Sequence, residues 1–178
     1  MNDNSKAHVN DVIKTMLERS SIRAYTDEKL TQEQISLLQN AALSAPTAMN
    51  AQDQRFVFVT NAEIIAELEA GVVEAACAGG DAAFAERIKQ RGGKIMYDAP
   101  LFVGIFAYPA KFSGVDAGIA VQNIALAAKS IGLDSVILGL PRLLVWKQPQ
   151  MLEVFALPGA VFISSVAFNL AVSEKENM

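Results

Sequence analysis

The alternation of apolar and polar residues predicts ten helices and strands along the chain. Val9, Ile13, Met16 and Leu17 recur at helical spacing, so His8–Leu17 is predicted as an amphipathic helix. The polar stretch Glu18–Lys29 breaks that period and reads as a loop. Thr31 followed by Gln34 has the form of a capping box, opening a helix over Gln32–Ser44. Its predicted buried stripe is Ile35, Leu38, Ala42 and Leu43, and Pro46 ends it. Phe56–Val59 is a short aromatic and β-branched run, predicted as a buried strand. Thr60 with Glu63 reads as a second capping box, starting a helix to about Ala76 that breaks at Gly79-Gly80. A further short helix is predicted over Ala82–Gln90, closed by Gly92-Gly93. Leu101–Ala107 reads as a second strand, Asp116–Ile131 as a long apolar helix ending at Gly132, and Val136–Leu138 as a third strand. Gln148–Phe155 fits a short helix and Val161–Leu170 a last strand. Helices and strands interleave irregularly, which suits a mixed sheet covered by helices rather than a long parallel array.

Composition narrows the classes. The 178 residues are 52% hydrophobic and 19% charged, which excludes intrinsic disorder and suits a single domain over residues 1–178. The apolar surplus points to a second buried surface, most simply a homodimer interface. Net charge is -4 and no basic stripe is present, so no nucleic-acid partner is expected. One cysteine, Cys77, excludes an internal disulfide framework, and one histidine, His8, leaves little basis for a Ser-His-Asp triad or a metal site. The first eleven residues lack the apolar core of a secretory signal, and no run suits a membrane span of about 20 residues. A cytoplasmic protein without a membrane partner is therefore expected.

Motifs that commonly carry chemistry are missing. There is no G-x-G-x-x-G, no P-loop, no H-E-x-x-H and no G-x-S-x-G. Three segments remain. In Arg19-Ser20-Ser21-Ile22-Arg23, two guanidinium groups flank two hydroxyls, a donor set that matches phosphate oxygens. Taken alone, the segment fits a solvated loop better. In Ala45–Gln52, Pro46 fixes φ, Ala48 allows close approach, and Asn50 and Gln52 offer carboxamides suited to a heterocycle with C=O and N–H edges. Taken alone, the segment fits better a turn in which Asn50 bonds its own backbone. In Ile131–Gly139, Gly139 follows a buried strand, where it serves either close approach of a ligand or an ordinary strand end.

Taken in order, these segments resemble the nitroreductase family of FMN-dependent oxidoreductases. The likeness runs from about Val12 to Leu170. It includes Arg-x-Ser-x-Arg followed by Tyr25, the Ala45–Gln52 loop, Tyr97-Asp98-Ala99-Pro100, Gln122-Asn123 and Ile131–Gly139. The resemblance implies an α+β fold, with a mixed, mainly antiparallel sheet flanked by helices, in an intertwined homodimer with FMN at the interface. It implies that Arg19, Ser20, Ser21 and Arg23 hold the flavin phosphate and pyrimidine side. Pro46, Thr47 and Ala48 would come from the partner chain, Asn50 and Gln52 would bond the ring or ribityl, and Leu138 and Gly139 would pass near the ring. Residues 60–97 would form a small helical insertion or lid, with Phe84 and Met96 as candidates for lining it. NADH or NADPH would be the transient hydride donor and a nitroaromatic, quinone or similar small planar molecule the acceptor. No protein catalytic residue and no metal would be needed, since the cofactor carries the chemistry. A non-catalytic flavin-binding or sensing protein, or another flavin reaction on this fold, is the alternative. Two departures from the family pattern stand out. Gln52-Asp53-Gln54 replaces a Gln-Pro-Trp sequence, and only Lys175 offers a cation after Val161, so weaker FMN binding is expected.

Overall fold

The computed structural model describes residues 9–79, 82–141 and 161–169. The elements run α1 (Asp11–Glu18), α2 (Gln32–Leu43), β1 (Gln54–Val59), α3 (Ala62–Cys77), α4 (Ala82–Gln90), β2 (Leu101–Ala107), α5 (Ser113–Ser130), β3 (Asp134–Leu138) and β4 (Val161–Asn169). The expected helix Gln148–Phe155, His8 and Lys175 lie outside the described residues.

The four described strands form one sheet in the order β1-β2-β4-β3, and each neighbouring pair is antiparallel. A parallel bridge from Ser21 to Ser135 brings the polar loop after α1 alongside β3 and gives the sheet its mixed character. The α+β fold class read from the sequence is thus the observed one.

Strand β2 is buried at all seven positions because helices cover both of its faces, which is why it reads as an unbroken apolar run. Phe102 and Phe106 point into a core shared with Ile65, Leu68 and Val72 of α3 and with Ile88 of α4. Leu101, Val103 and Ile105 point the other way, into a core with Leu38 of α2 and Val121 and Ile124 of α5. The molecule is therefore three layers, with α3 and α4 on one side of the sheet and α2 and α5 on the other. Met96, expected to line a lid, is 1% exposed and belongs to the first core, because Glu69 Oε1 accepts from the N–H groups of Ile95 (2.6 Å) and Met96 (2.5 Å) and draws that turn inward. The side chain of Phe84 is outside the described set.

Helix ends follow local chemistry, with instructive shifts. The Thr31–Gln34 capping box forms with both of its bonds. At α3 the cap is Asn61, not Thr60: its Oδ1 accepts from the N–H groups of Glu63 and Ile64, and an asparagine one residue closer takes the role from the threonine. Helix α5 begins three residues before the predicted Asp116, at Ser113, whose hydroxyl accepts from the N–H of Ala110 and lies 2.9 Å from the carbonyl of Tyr108. Leu43, assigned to the buried stripe of α2, is 71% exposed: Ala42 beside it takes the core-facing position of the last turn, while Leu43 lines an open cavity. Helix α1 has the predicted amphipathic pattern but buries nothing: Val12, Ile13, Met16 and Leu17 are all exposed.

Candidate functional site

The three chemistry-bearing segments fall into two groups. The first is built around β3. The parallel bridge and the hydrogen bond from the Ile22 N–H to the Ser135 carbonyl (3.1 Å) join Ser21 and Ile22 to the start of β3, the strand that ends at Leu138 just before Gly139. The Arg19–Arg23 and Ile131–Gly139 segments are thereby brought together. Tyr25 locks the loop by donating its hydroxyl to the Ile22 carbonyl (2.8 Å), and its ring packs on the core that includes Leu138. Burial pushes the Tyr25 hydroxyl well above the ordinary tyrosine range. The carboxylate of Asp134 and the neighbouring Tyr97 add to that rise, while Arg23 opposes it.

The cations of this group differ in state. Arg23 is exposed and donates from Nη1 to the Ser21 carbonyl at 3.2 Å, which curls the guanidinium over the loop. Arg19 is half-buried, and its Nη1 is fully buried without a hydrogen-bond partner among the described residues. A buried guanidinium nitrogen lacking an acceptor costs about 1–3 kcal/mol, and more for a charged group, unless something anionic meets it. Ser20 and Ser21 are exposed next to it in the chain; Gly139, just past the end of β3, is also exposed, whereas Leu138 is 7% exposed.

The second group lies at the other end of the molecule. Pro46–Gln52 links α2 to β1 through a single 3-10 turn at Ala48–Asn50. Met49, Asn50 and Gln52 all adopt left-handed φ (54°, 55° and 49°), a conformation that costs non-glycine residues of order 1–3 kcal/mol each and persists where surroundings enforce it. Two bonds do the enforcing. The Thr47 hydroxyl accepts from the Gln52 N–H at 3.0 Å, and the carboxylate of Asp116, itself 4% exposed, accepts from the Ala48 N–H at 3.1 Å. Asn50 and Gln52 keep their carboxamides exposed, and neither has a hydrogen-bond partner among the described residues. Asn50 therefore does not use its side chain on its own backbone. Beside the loop, Thr47, Gln52, Gln54, Arg55, Phe56 and Leu43 line part of a cavity of about 660 Å³.

Asp116 is the residue holding this candidate loop that sequence reasoning missed. A lone carboxylate in the first turn of an apolar helix reads as a favourable charge at a helix N-terminus, and its tertiary partner is 68 residues away. Asp53 Oδ1, just before β1, and Gln54 Nε2, at its start, are likewise buried without a hydrogen-bond partner among the described residues.

Within one chain the two groups do not meet. The Pro46–Gln52 loop belongs to the β1 edge of the sheet, and Arg19–Arg23 to the β3 edge. Three strand spacings of about 4.8 Å put roughly 14 Å of sheet between those edges. The loop also sits at the N-terminal end of α5, whereas Ser135 follows just beyond its C-terminal end.

Comparison with known proteins agrees with this architecture. Residues 16–168 match the Nitroreductase family. The chain is 30% identical over 165 residues to the FMN reductase [NAD(P)H] of Bacillus subtilis, covering 86% of this chain and 63% of that protein, so it spans less than two thirds of that relative's length. A nitroreductase from Desulfitobacterium hafniense, solved with bound FMN, superposes with a TM-score of 0.85 at 29% identity, covering 96% of this chain and 98% of the other. A nitroreductase from Bacteroides fragilis shares the fold at a TM-score of 0.82 and 23% identity, covering 92% of this chain and 90% of the other.

Proposed function

The chain belongs to the nitroreductase family, and from that premise we propose that it is an FMN-dependent oxidoreductase using NADH or NADPH. The observation that carries the reading is Arg19: a buried guanidinium nitrogen without an acceptor among the described residues, on a loop bridged to the start of β3, is a cation suited to an anion. The flavin phosphate satisfies it, with Ser20, Ser21 and Arg23 as neighbouring donors. Leu138 and Gly139 would offer an apolar edge and open backbone to the ring. Bound there, FMN supplies hydride acceptance from a nicotinamide and electron delivery to a nitroaromatic, quinone or similar planar acceptor.

What the chain's own residues do is bind and orient. Arg19 and Arg23 supply charge. The Thr47 and Asp116 bonds hold Pro46, Thr47 and Ala48 in one shape and leave the Asn50 and Gln52 carboxamides free to pair with a heterocycle. Because these two groups lie at opposite ends of one chain, the complete site takes its second half from a second copy. The exposed apolar face of α1 supports a homodimer, since a solvated stripe of Val12, Ile13, Met16 and Leu17 is the surface a second copy would cover.

Mixing the purified protein with FMN, removing the excess and recording the visible spectrum tests cofactor binding. Following NADH or NADPH oxidation with menadione or a nitroaromatic tests turnover. A retained flavin that is reduced by a nicotinamide and reoxidised by an acceptor is the expected result. A flavin that is retained but never reduced makes the protein a binder rather than an enzyme, and a colourless protein overturns the reading. No helix among the described residues is long and apolar enough to cross a membrane.

A further inference from the structure

A second concentration of positive charge lies outside the residues assigned above. Residues 87–94 contain Arg87, Lys89, Arg91 and Lys94 and no acidic residue, in a chain whose net charge is -4. Lys94 is taken up by an ion pair with Asp98. Arg87 lies in the last turn of α4 and Arg91 is the first residue after the helix. Both are exposed, and together with Tyr97, Leu138 and Leu140 they line a cavity of about 120 Å³. Its apolar floor includes Ile88 and Ile95, each 4% exposed.

The placement matters more than the charge. Basic residues in the last turn of a helix are favourable simply because they face its dipole, and Arg87 and Lys89 fit that description. The dipole does not explain why two arginines, rather than one, line a concavity walled by the end of β3. Leu138 is the last residue of that strand, and the Arg19–Arg23 loop is bridged to the start of the same strand. Tyr97 reaches the cavity from a turn held in left-handed φ (58°), and Tyr97 and Tyr25 pack against the same core. The cavity therefore adjoins the strand end at which the flavin reading puts the reacting ring. Paired guanidinium forks in a small, partly apolar recess suit one phosphate or carboxylate group. No carboxylate among the described residues pairs with Arg91.

We propose that Arg87 and Arg91, with Tyr97 beside them, form a subsite for an anionic group, a phosphate or carboxylate, on the molecule that exchanges electrons at the end of β3. The inference rests on the flavin reading above. It names the class of substrate that this edge of the site selects, and it assigns no role in holding FMN to these two residues.

The test uses the FMN-loaded protein and the double variant Arg87→Gln/Arg91→Gln, with thermal unfolding as the check that the fold is kept. KM and kcat are measured for NADPH and NADH with menadione as a neutral acceptor, and then for 4-nitrobenzoate against nitrobenzene. A lost charged hydrogen bond corresponds to a KM raised about tenfold or more. A rise confined to NADPH assigns the 2′-phosphate, an equal rise for both nicotinamides assigns their shared pyrophosphate, and a rise confined to 4-nitrobenzoate assigns the acceptor's carboxylate. Unchanged KM values, an equal rise for neutral and anionic substrates, or a change in FMN affinity alone overturns the proposal. If the wild-type protein itself does not turn over, the flavin reading has failed, and calorimetric titration with inorganic phosphate still decides the subsite. A phosphate site lost in the double variant but kept in Arg19→Ala supports it. A site kept in the double variant, or no phosphate site at all, refutes it.

Discussion

The carboxylate of Asp116 accepts a hydrogen bond from the backbone N–H of Ala48 across 68 residues of sequence, tying the start of α5 to the strained loop before β1. Neither end has this geometry by itself, since the loop carries three non-glycine residues in left-handed φ and the carboxylate is almost wholly buried. Asp116→Ala would leave the Ala48 N–H unsatisfied and release the strain into disorder. A loss of about 1–3 kcal/mol in stability is expected in denaturant unfolding, with weaker FMN binding. Asp116→Asn keeps an accepting oxygen and is expected to restore most of the FMN affinity. An alanine variant that binds FMN as the wild type does would mean the loop needs no such tether.

Arg19→Ala separates binding from folding. With Nη1 buried and unpartnered, the side chain contributes little to the stability of the FMN-free protein, and its removal should leave that stability unchanged or slightly higher. FMN affinity should fall by about 1.5–3 kcal/mol, the usual worth of a hydrogen bond to a charged group. Fluorescence titration of FMN beside thermal unfolding of the FMN-free protein reads both. A loss of stability without a loss of affinity would assign Arg19 to the fold alone.

The exposed stripe on α1 predicts how assembly fails. Ile13→Asp with Leu17→Asp places two charges on a face that stays exposed among the described residues of its own chain. The expected product is a folded monomer by sedimentation, with unchanged circular dichroism and lost FMN, because the second half of the site leaves with the partner. A variant that remains dimeric would move the interface elsewhere.

Tyr25 gives the protein an alkaline limit. Its folded pKa is raised, chiefly by burial, so the folded state holds the phenolic proton more tightly than the unfolded chain does. Stability from this group is intact below the unfolded value of about 10 and declines as pH rises above it, by about 1.4 kcal/mol per pH unit. Tyr25→Phe should flatten that part of the stability profile, at the loss of the bond to the Ile22 carbonyl. Tyrosinate absorbance should show one of the three tyrosines failing to ionise until unfolding. A wild type and a phenylalanine variant with parallel alkaline profiles would sink the assignment.

Much of this protein is written locally. The Thr31–Gln34 box, the strand Leu101–Ala107 and the helix of apolar period between Ser113 and Ser130 follow from contacts within a few residues, so short-range chemistry suffices to read them. The residue types of the candidate site, two arginines around two serines and two carboxamides on a proline-led loop, are equally visible in the sequence. The sequence could not reveal which of these segments meet. The parallel bridge that joins Ser21 to Ser135, the separation of the Ala48 loop from Arg19, and the burial of Asp116 and Met96 depend on how strands order in the sheet and which face each helix covers. Leu43 and the α1 stripe make the same point. Apolar periodicity predicts that a face will be covered, but only the tertiary structure shows that nothing among this chain's described residues covers it, because periodicity records a need for burial and not the identity of the partner.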